Sequence, residues 1–424
     1  MNAAEQGHLL LKQGKAKEAE LAFRRVLEAE PDHVEALNVV GLAALRDGDI
    51  DGALVLLKRA ALIDGAQALT HLHLGRAHAA AYELDAAAAA YVAALAREPK
   101  LHAARLHLAD LHEKRGDTMQ AVLTYARALS GAQAEGRWLD ASTTPVPLQP
   151  AVDHAQRFVL ERRLAAFAEL MEPFATRYGR GALRRVEQAV RTHLHLERQV
   201  YPDPRQKPTF LFFPGLPATP YFDKGLIPEI EALEARTNEI QRELLQLLPS
   251  DAGRERVFNT DHLEQANLRG LDQPPSWNGY YFFRHGERRA DNCAACPVTA
   301  AALDALPLAR VPAHGPEVLY SVFSPGTHLL PHCGVTNTRV VGHLPLMIPE
   351  NCALRVGGED HHWREGEVVV FDDTYPHEAW NRSSRRRVVM IFDLWNPFLS
   401  QAERAVLTEL VMAMGDFRAG VEAL

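Results

Sequence analysis

A 34-residue period runs through the first 130 residues and constrains the fold more than any other feature of the chain. Small residues recur at one phase of this period and large side chains recur at another. The small set is Ala19, Ala53, Ala87 and Ala121, and the large set is Phe23, Leu57, Tyr91 and Tyr125. Small residues let paired helices approach closely, and a fixed period means that each unit stacks on the next. The period predicts an α-solenoid of about four repeats over residues 1–130.

This spacing resembles the tetratricopeptide repeat, a two-helix unit of 34 residues. Stacked repeats of this kind build an extended concave surface that binds other molecules. The resemblance implies that residues 1–130 recruit a protein or peptide. A purely structural or dimerising role for the repeats is the alternative, and the oligomeric state is left open.

Composition and periodicity divide the rest of the chain. Residues 131–150 are rich in Gly, Ser, Thr and Pro, which predicts a linker. Residues 151–204 are predicted to form two bridging helices, and residues 227–248 an amphipathic helix that packs on the outside of a sheet. Residues 401–424 are predicted to form a C-terminal helix.

From about residue 277 the hydrophobic period changes from 3.6 to 2, which predicts many short strands. Short antiparallel strands in this number fit a double-stranded β-helix, the jelly-roll or cupin-like barrel. The predicted architecture is therefore multidomain. An N-terminal α-solenoid is followed, over residues 205–400, by a double-stranded β-helix with flanking helices.

Two histidines and an arginine are placed around the strand-rich segment in a way that suits iron chemistry. His332 and His377 lie at strand edges, and Arg387 opens the next strand-like run, ahead of the apolar residues that follow Arg385 and Arg386. Imidazoles bind iron, and a guanidinium holds a carboxylate with a planar fork. This pattern indicates a non-haem Fe(II) centre that uses 2-oxoglutarate, although single histidines in β-rich cores are more often structural.

The segments around these residues resemble the aspartyl/asparaginyl β-hydroxylase family of 2-oxoglutarate/Fe(II) dioxygenases. The resemblance covers roughly residues 205–400. Four blocks carry it in the same order: SPGTHLLPHCGVTNTR (324–339), HLPLMIP (343–349), VVFDDTYPHEAWN (369–381) and RVVMIFDLWNP (387–397). The resemblance implies a dioxygenase that takes O2 and 2-oxoglutarate as cosubstrates and hydroxylates a side chain, of the Asp/Asn β-carbon type, in a protein or peptide.

The resemblance also implies a role for each matched residue. His332 and His377 are expected to hold Fe(II). Arg387 and Ser321 are expected to bind the C5 carboxylate of 2-oxoglutarate, and His343 is assigned to the same cosubstrate region.

This chain and the family both depart from the usual iron site of this fold. Most such enzymes have a carboxylate two residues after the first histidine, and here the residue is Gly334, as the family pattern leads us to expect. Asp373 is predicted to hold a metal-bound water, and a turn-capping role within FDDTYP is the open alternative. Val341 stands where the family typically has an arginine, so the pocket is expected to be less cationic and poor for acidic peptides. Four candidates for the substrate side are Trp277, Tyr280, Arg284 and Arg288.

Composition excludes several other classes of function. The net charge of −8 and the pI near 6.2 argue against a nucleic-acid binder. The chain contains no run of about 18 apolar residues, so no membrane span is expected, and its four cysteines fit a reducing compartment. The expected location is the cytoplasm. The alternatives to a protein hydroxylase are a hydroxylase of a small molecule or lipid acyl chain, and a non-catalytic repeat scaffold with a degenerate barrel.

Overall fold

The structure is a computed structural model, and its packing divides the chain into two compact units. It describes residues 2–63, 67–248, 254–256, 268–269 and 277–424. One unit comprises residues 1–165 and 417–424, and the other comprises residues 166–416. The predicted repeat array includes residues 64–66, and the predicted barrel domain includes residues 249–253, 257–267 and 270–276. These segments lie outside the described residues.

The first unit contains successive helix pairs. Its repeat helices are α1 (Ala3–Lys12), α2 (Ala16–Ala29), α3 (Val34–Arg46), α4 (Ile50–Ile63), α5 (Ala68–Ala80), α6 (Leu84–Arg97), α7 (His102–Lys114) and α8 (Thr118–Ala134). Each odd-numbered helix packs against the helix that follows it. The predicted helical solenoid is confirmed.

The 34-residue period has a direct packing cause. The recurrent alanines are all fully buried where paired helices meet, at Ala19, Ala53, Ala87 and Ala121. A glycine in the first helix of a pair serves the same purpose. At Gly75, a Cβ atom would lie 2.5 Å from the ring of Tyr91, so α5 and α6 approach as they do only because this residue has no side chain.

The predicted linker begins and ends inside helices. Helix α8 continues to Ala134, and a Cβ atom at Gly131 would lie 2.5 Å from the ring of His102. Gly131, which composition assigns to a linker, therefore lies in a helix and packs against His102. The next long helix, α9 (Gln149–Tyr178), starts before residue 151, and Phe158 in it packs in the same core as Tyr125.

The remaining elements include the helices that flank the sheets and the strands themselves. The helices are α10 (Arg184–His193), α11 (Glu229–Ala235), α12 (Thr237–Leu247), α13 (Ala290–Ala295), α14 (Pro297–Asp304) and α15 (Gln401–Glu422). The strands are β1 (Tyr221–Phe222), β2 (Arg254–Arg256), β3 (Leu268–Arg269), β4 (Trp277–Arg284), β5 (Glu287–Arg288), β6 (Val318–Phe323), β7 (His328–His332), β8 (Arg339–Met347), β9 (Cys352–Val356), β10 (Glu359–His361), β11 (Val369–Phe371), β12 (His377–Asn381) and β13 (Arg387–Trp395).

Within the described residues the strands form two antiparallel sheets. The larger has eight strands in the order β1-β11-β8-β13-β6-β4-β2, with β5 beside β4, and the smaller has five in the order β10-β9-β12-β7-β3. Strands β6, β8 and β13 are buried along almost their whole length, which explains their nearly continuous apolar sequence. The predicted fold class, a helical solenoid followed by antiparallel sheets, is confirmed.

Two apolar cores hold the sheets in place. In the first, Ile240 and Leu244 of α12 pack with Tyr320 and Val388 of the larger sheet, as the amphipathic pattern predicts. The single helix predicted over residues 227–248 is instead two helices that meet at Arg236. The second core contains residues of both sheets, among them Phe323, Leu329, Val341, Leu354, Phe371 and Val389. No helix in the described ranges is both long and apolar enough to cross a membrane.

Candidate active site

A cavity of about 470 Å³ is lined by residues of both sheets. It brings together all six residues that the sequence assigned to the site, and they are His332, His377, Asp373, Arg387, Ser321 and His343. Because these side chains come from five separate segments, their convergence is a property of the tertiary structure. The roles of the individual residues stay predictions.

His332 and His377 face each other across neighbouring strands. They are register partners between β7 and β12, and their ring centroids are 4.1 Å apart. The Nδ1 atom of His332 contacts the carbonyl of Leu330 at 2.8 Å, and that of His377 contacts the carbonyl of Tyr375 at 3.1 Å. A carbonyl can only accept, so each Nδ1 donates and each Nε2 keeps its lone pair.

Burial disfavours the charged form of both imidazoles. Burial lowers the pKa of His332, and burial together with the adjacent His332 ring lowers the pKa of His377 to about 3. A neutral imidazole with a free Nε2 atom is the form that binds a metal. Across the described residues no group of three His, Cys, Asp or Glu side chains could hold a metal ion.

Asp373 occupies the space where a side chain at position 334 would lie. A Cβ atom on Gly334 would be 2.1 Å from the Asp373 carboxylate. The turn-capping role belongs to the neighbouring Asp372, whose Oδ1 atom accepts from the backbone N–H of Thr374 at 2.9 Å. Asp373 is only 6% exposed, its Oδ1 atom has no hydrogen-bond partner, and burial raises its pKa to about 7.

Gly334→Ala is expected to displace Asp373. If Asp373 has its predicted role beside a metal, hydroxylation turnover should fall by about 10–100-fold, the usual cost of disturbing a group that supports a metal site. The measurement is turnover with Fe(II) at saturating cosubstrate. Gly181→Ala is the matched control, because nothing lies within 4 Å of a Cβ atom built there. Equal turnover of both variants would mean that the Asp373 carboxylate is not needed.

Arg387 is a buried cation that has no carboxylate partner among the residues that the structure describes. It is 1% exposed and lies between two aromatic rings, 3.9 Å from the centroid of Phe323 and 4.6 Å from that of Trp363. Its Nη1 atom donates to the Ser321 hydroxyl at 3.2 Å, and its Nε atom has no partner. Within the described ranges it forms no ion pair, and burial lowers its pKa to about 9. By contrast, Arg385 and Arg386 are exposed.

Alternate residues of β8 face the cavity. Arg339, Val341 and His343 all line it, as strand alternation predicts. The Nδ1 atom of the 5%-exposed His343 has no hydrogen-bond partner. Arg339 is engaged within the protein, because its Nη1 atom lies 2.6 Å from an Asp393 oxygen and its Nη2 atom lies 3.8 Å from Asp373.

The candidates for the substrate side divide into two groups. Trp277 and Arg284 line the cavity, and the Trp277 indole donates to the Ser321 hydroxyl at 2.9 Å. Tyr280 instead packs in the core beside the helices, and Arg288 pairs with Asp304 at 2.6 Å. Adjacent residues of a strand face opposite sides, so Tyr281 lines the cavity in place of Tyr280.

Sequence reasoning missed two acidic residues in the cavity, Glu317 and Asp393. Strand alternation was the available signal. Asp393 lies six residues after Arg387 on the same strand. Glu317 lies two residues before Leu319 and four before Ser321, which both line the cavity. An even spacing along a strand places side chains on one face.

Comparison with known proteins agrees with this site and with the repeats. A model of the aspartyl/asparaginyl beta-hydroxylase family matches residues 234–397, and a tetratricopeptide repeat model matches residues 5–68. Mouse aspartate beta-hydroxylase domain-containing protein 2 is 32% identical over 250 residues, which cover 58% of this chain and 70% of that protein. The human counterpart is also 32% identical, and the chain spans 65% of its length.

Two further relatives differ in what their names state. Human aspartyl/asparaginyl beta-hydroxylase is 33% identical over 197 residues, which cover 46% of this chain but only 25% of that protein. Ornithine lipid ester-linked acyl 2-hydroxylase of Rhizobium tropici is 31% identical over 186 residues, 43% of this chain and 63% of that protein. The relatives are thus hydroxylases or hydroxylase-domain proteins. The chain belongs to the aspartyl/asparaginyl β-hydroxylase family and carries tetratricopeptide repeats at its N-terminal side.

Proposed function

We propose that this protein is a 2-oxoglutarate/Fe(II)-dependent dioxygenase that hydroxylates a side chain of a protein or peptide recruited by its repeats. The observation that carries the proposal is Arg387, which is buried between two aromatic rings and has no carboxylate partner in the part of the chain that the structure describes. A buried unpaired charge is costly to fold. An anionic ligand that enters the cavity offsets that cost, and 2-oxoglutarate provides a carboxylate at each end.

Ser321 is arranged to complete the grip on that carboxylate. Its hydroxyl oxygen accepts from the Trp277 indole and from the Arg387 guanidinium. With both hydrogen bonds accepted, the hydroxyl proton is free to be donated to a ligand oxygen. Trp277 and Arg387 therefore orient Ser321 as a donor toward the space where the cosubstrate carboxylate would lie.

His332 and His377 would hold the iron through their Nε2 atoms, and the bound metal with its cosubstrates would supply the oxidising chemistry. Asp373 is the carboxylate available to accept a hydrogen bond from a ligand of that metal. Apolar walls that include Leu354 and Phe371 keep bulk water away from this part of the cavity.

We assign recruitment of the protein or peptide to the repeats, because tetratricopeptide arrays act in protein–protein interaction and this array has no other evident chemistry. The cytoplasm is the proposed compartment, on the basis of the four free cysteines. Contact with nucleic acid is not part of the proposal because the chain is acidic.

Removing residues 1–66 tests recruitment. Repeat arrays are stabilised mainly by neighbouring units, so α5 to α8 should stay folded. Uncoupled conversion of 2-oxoglutarate to succinate should be unchanged, whereas hydroxylation of a protein substrate should fall by about tenfold or more as avidity is lost. Both rates are measured on the same preparations. Unchanged kinetics on the protein substrate would contradict recruitment by these repeats.

A lipid acyl chain is the second candidate substrate. The relative from Rhizobium tropici carries an acyl hydroxylase name, and Leu319, Val341 and Ile391 give the cavity an apolar wall. The two candidates are separated by measuring succinate formation with Fe(II) in three arms: no substrate, cell-derived peptide fractions and cell-derived lipid extracts. Stimulation by peptides alone supports the leading proposal, and stimulation by lipids alone replaces it. Failure to bind 2-oxoglutarate at all would indicate a non-catalytic scaffold.

A further inference from the structure

The cavity has two chemically different ends, which the register of three strands defines. Arg387 is opposite Phe323 on β6, and four residues further along β13 Ile391 is opposite Leu319. Asp393 follows and is opposite Val341 on β8. Six residues of a strand span about 20 Å, so an apolar belt separates the Arg387 end from the Asp393 end.

The end at Asp393 is acidic. The backbone N–H of Glu317 donates to Asp393 Oδ2 at 2.9 Å, which joins the two acidic residues. Glu317 Oε1 accepts from the backbone N–H of His285 at 2.6 Å and lies 3.0 Å from its ring. Its side chain remains 28% exposed, whereas that of Asp393 is 4% exposed.

The cations near this end are already engaged. Arg339 is shared between Asp393 and Asp373, and Arg284 pairs with Glu255. The Oδ1 atom of Asp373 is buried in the cavity wall without any hydrogen-bond partner. Within the described ranges Glu317 forms no ion pair with an arginine or lysine, and Asp373 and Asp393 share Arg339, so the carboxylates at this end outnumber their arginine partners.

We infer that the acidic end of the cavity receives a positively charged side chain of a peptide substrate, a lysine or arginine at or next to the residue that is hydroxylated. The inference deepens the proposed function and rests on it, because it takes this cavity as the substrate site. The belt of Leu319, Val341 and Ile391 suits the methylene stem of such a side chain, while Glu317 and Asp393 face its charge. The repeats favour a peptide over a lipid as its source.

The test uses the full chain with Fe(II) and 2-oxoglutarate under argon, so that binding is measured without turnover. The probes are three pools of fluorescent hexapeptides with a fixed central Lys, Gln or Glu and random flanking residues, and the readout is anisotropy. The Lys pool should bind about tenfold more tightly than the Gln pool, as one charge-assisted contact provides, and the Glu pool should bind most weakly.

Three variants test whether the preference for the Lys pool comes from the acidic end of the cavity. Glu317→Gln keeps the shape of the side chain and should remove most of the preference for Lys over Gln. Glu350→Gln is the matched control, because Glu350 is an exposed acid that does not line the cavity. Val341→Arg places a cation opposite Asp393 and should weaken the Lys pool while strengthening the Glu pool.

A pH series gives a readout that a purely structural role would not produce. Burial, with the nearby Asp393 carboxylate, raises the pKa of Glu317 to about 7, and Arg339 and Arg284 oppose that rise, as does the hydrogen bond from the His285 backbone. Below this pH Glu317 becomes protonated and as neutral as glutamine. The difference in Lys-pool affinity between the parent and Glu317→Gln should therefore shrink as the pH falls from 8 to about 6.

The outcomes separate this inference from the proposed function, because 2-oxoglutarate affinity is measured by calorimetry in the same samples. Tight 2-oxoglutarate binding with equal affinity for the three pools, or with no effect of Glu317→Gln, overturns the inference and leaves the proposed function standing. If 2-oxoglutarate binding is lost but the preference for Lys still depends on Glu317, the proposed function is overturned and the acidic end still binds a cationic side chain. If the Lys pool shows no Glu317-dependent binding but micelles of an amine-bearing lipid do, the charge belongs to a lipid and the peptide assignment is wrong.

Discussion

Arg387→Ala is expected to raise the 2-oxoglutarate concentration needed for half-maximal turnover by about two to three orders of magnitude, because losing an enclosed charge-assisted pair costs on the order of 2–5 kcal/mol. The parent arginine is 1% exposed and stacks between Phe323 and Trp363, so water replaces little of the lost contact. The measurement is initial succinate formation as a function of 2-oxoglutarate at saturating Fe(II).

Arg385→Ala is the matched control, since Arg385 is an exposed arginine two residues away. It should leave the cosubstrate requirement unchanged. Arg387→Lys separates charge from geometry: a lysine keeps the charge but lacks the planar fork, so it should recover only part of the affinity. An equal effect of the changes at 385 and 387 would show that the wrong arginine has been assigned to the cavity.

Ligand-induced stabilisation gives the same prediction an independent readout. A ligand that binds only the folded state raises the free energy of unfolding by RT ln(1 + [L]/Kd). At a concentration of about 100 times the dissociation constant, 2-oxoglutarate should stabilise the parent by about 2.7 kcal/mol and Arg387→Ala hardly at all. A thermal melt of each protein with and without 2-oxoglutarate measures the difference.

His332→Ala and His377→Ala are each expected to abolish Fe(II) binding at micromolar iron. These histidines are the proposed iron ligands, and their rings lie in the cavity at a centroid distance of 4.1 Å. A site with so few protein ligands does not tolerate the loss of one. The measurement is an anaerobic Fe(II) titration with a chelator as competitor, and 2-oxoglutarate should tighten binding in the parent.

His328→Ala provides the control for this pair. His328 lies on the same strand as His332, but its Nε2 atom contacts Glu378 at 2.7 Å. Iron binding by this variant should match the parent. If both site variants bind iron as the parent does, the ligand assignment fails, whatever the turnover measurements show.

The sequence by itself determined the features that depend on local periodicity. The 34-residue period places Ala19, Ala53, Ala87 and Ala121 at buried helix contacts, and a repeat that stacks on an identical neighbour needs no information from distant parts of the chain. The change to a period of 2 located the strands in the same way. The resemblance to the family selected Arg387 over its two arginine neighbours, and the position of Arg387 at the start of the apolar strand agreed with that choice.

The tertiary structure decided what depends on pairing between distant strands. The register of β4 against β6 shifts between Tyr281 and Phe283, so alternation from Trp277 and Tyr281 does not predict that Arg284 also lines the cavity. Asp373 fills the space above Gly334, 39 positions earlier in the chain, and Glu317 meets Asp393 across 76 positions. A strand's own pattern determines which residues share a face. Its partners and register, set by packing of the whole domain, determine which charges come together in the cavity.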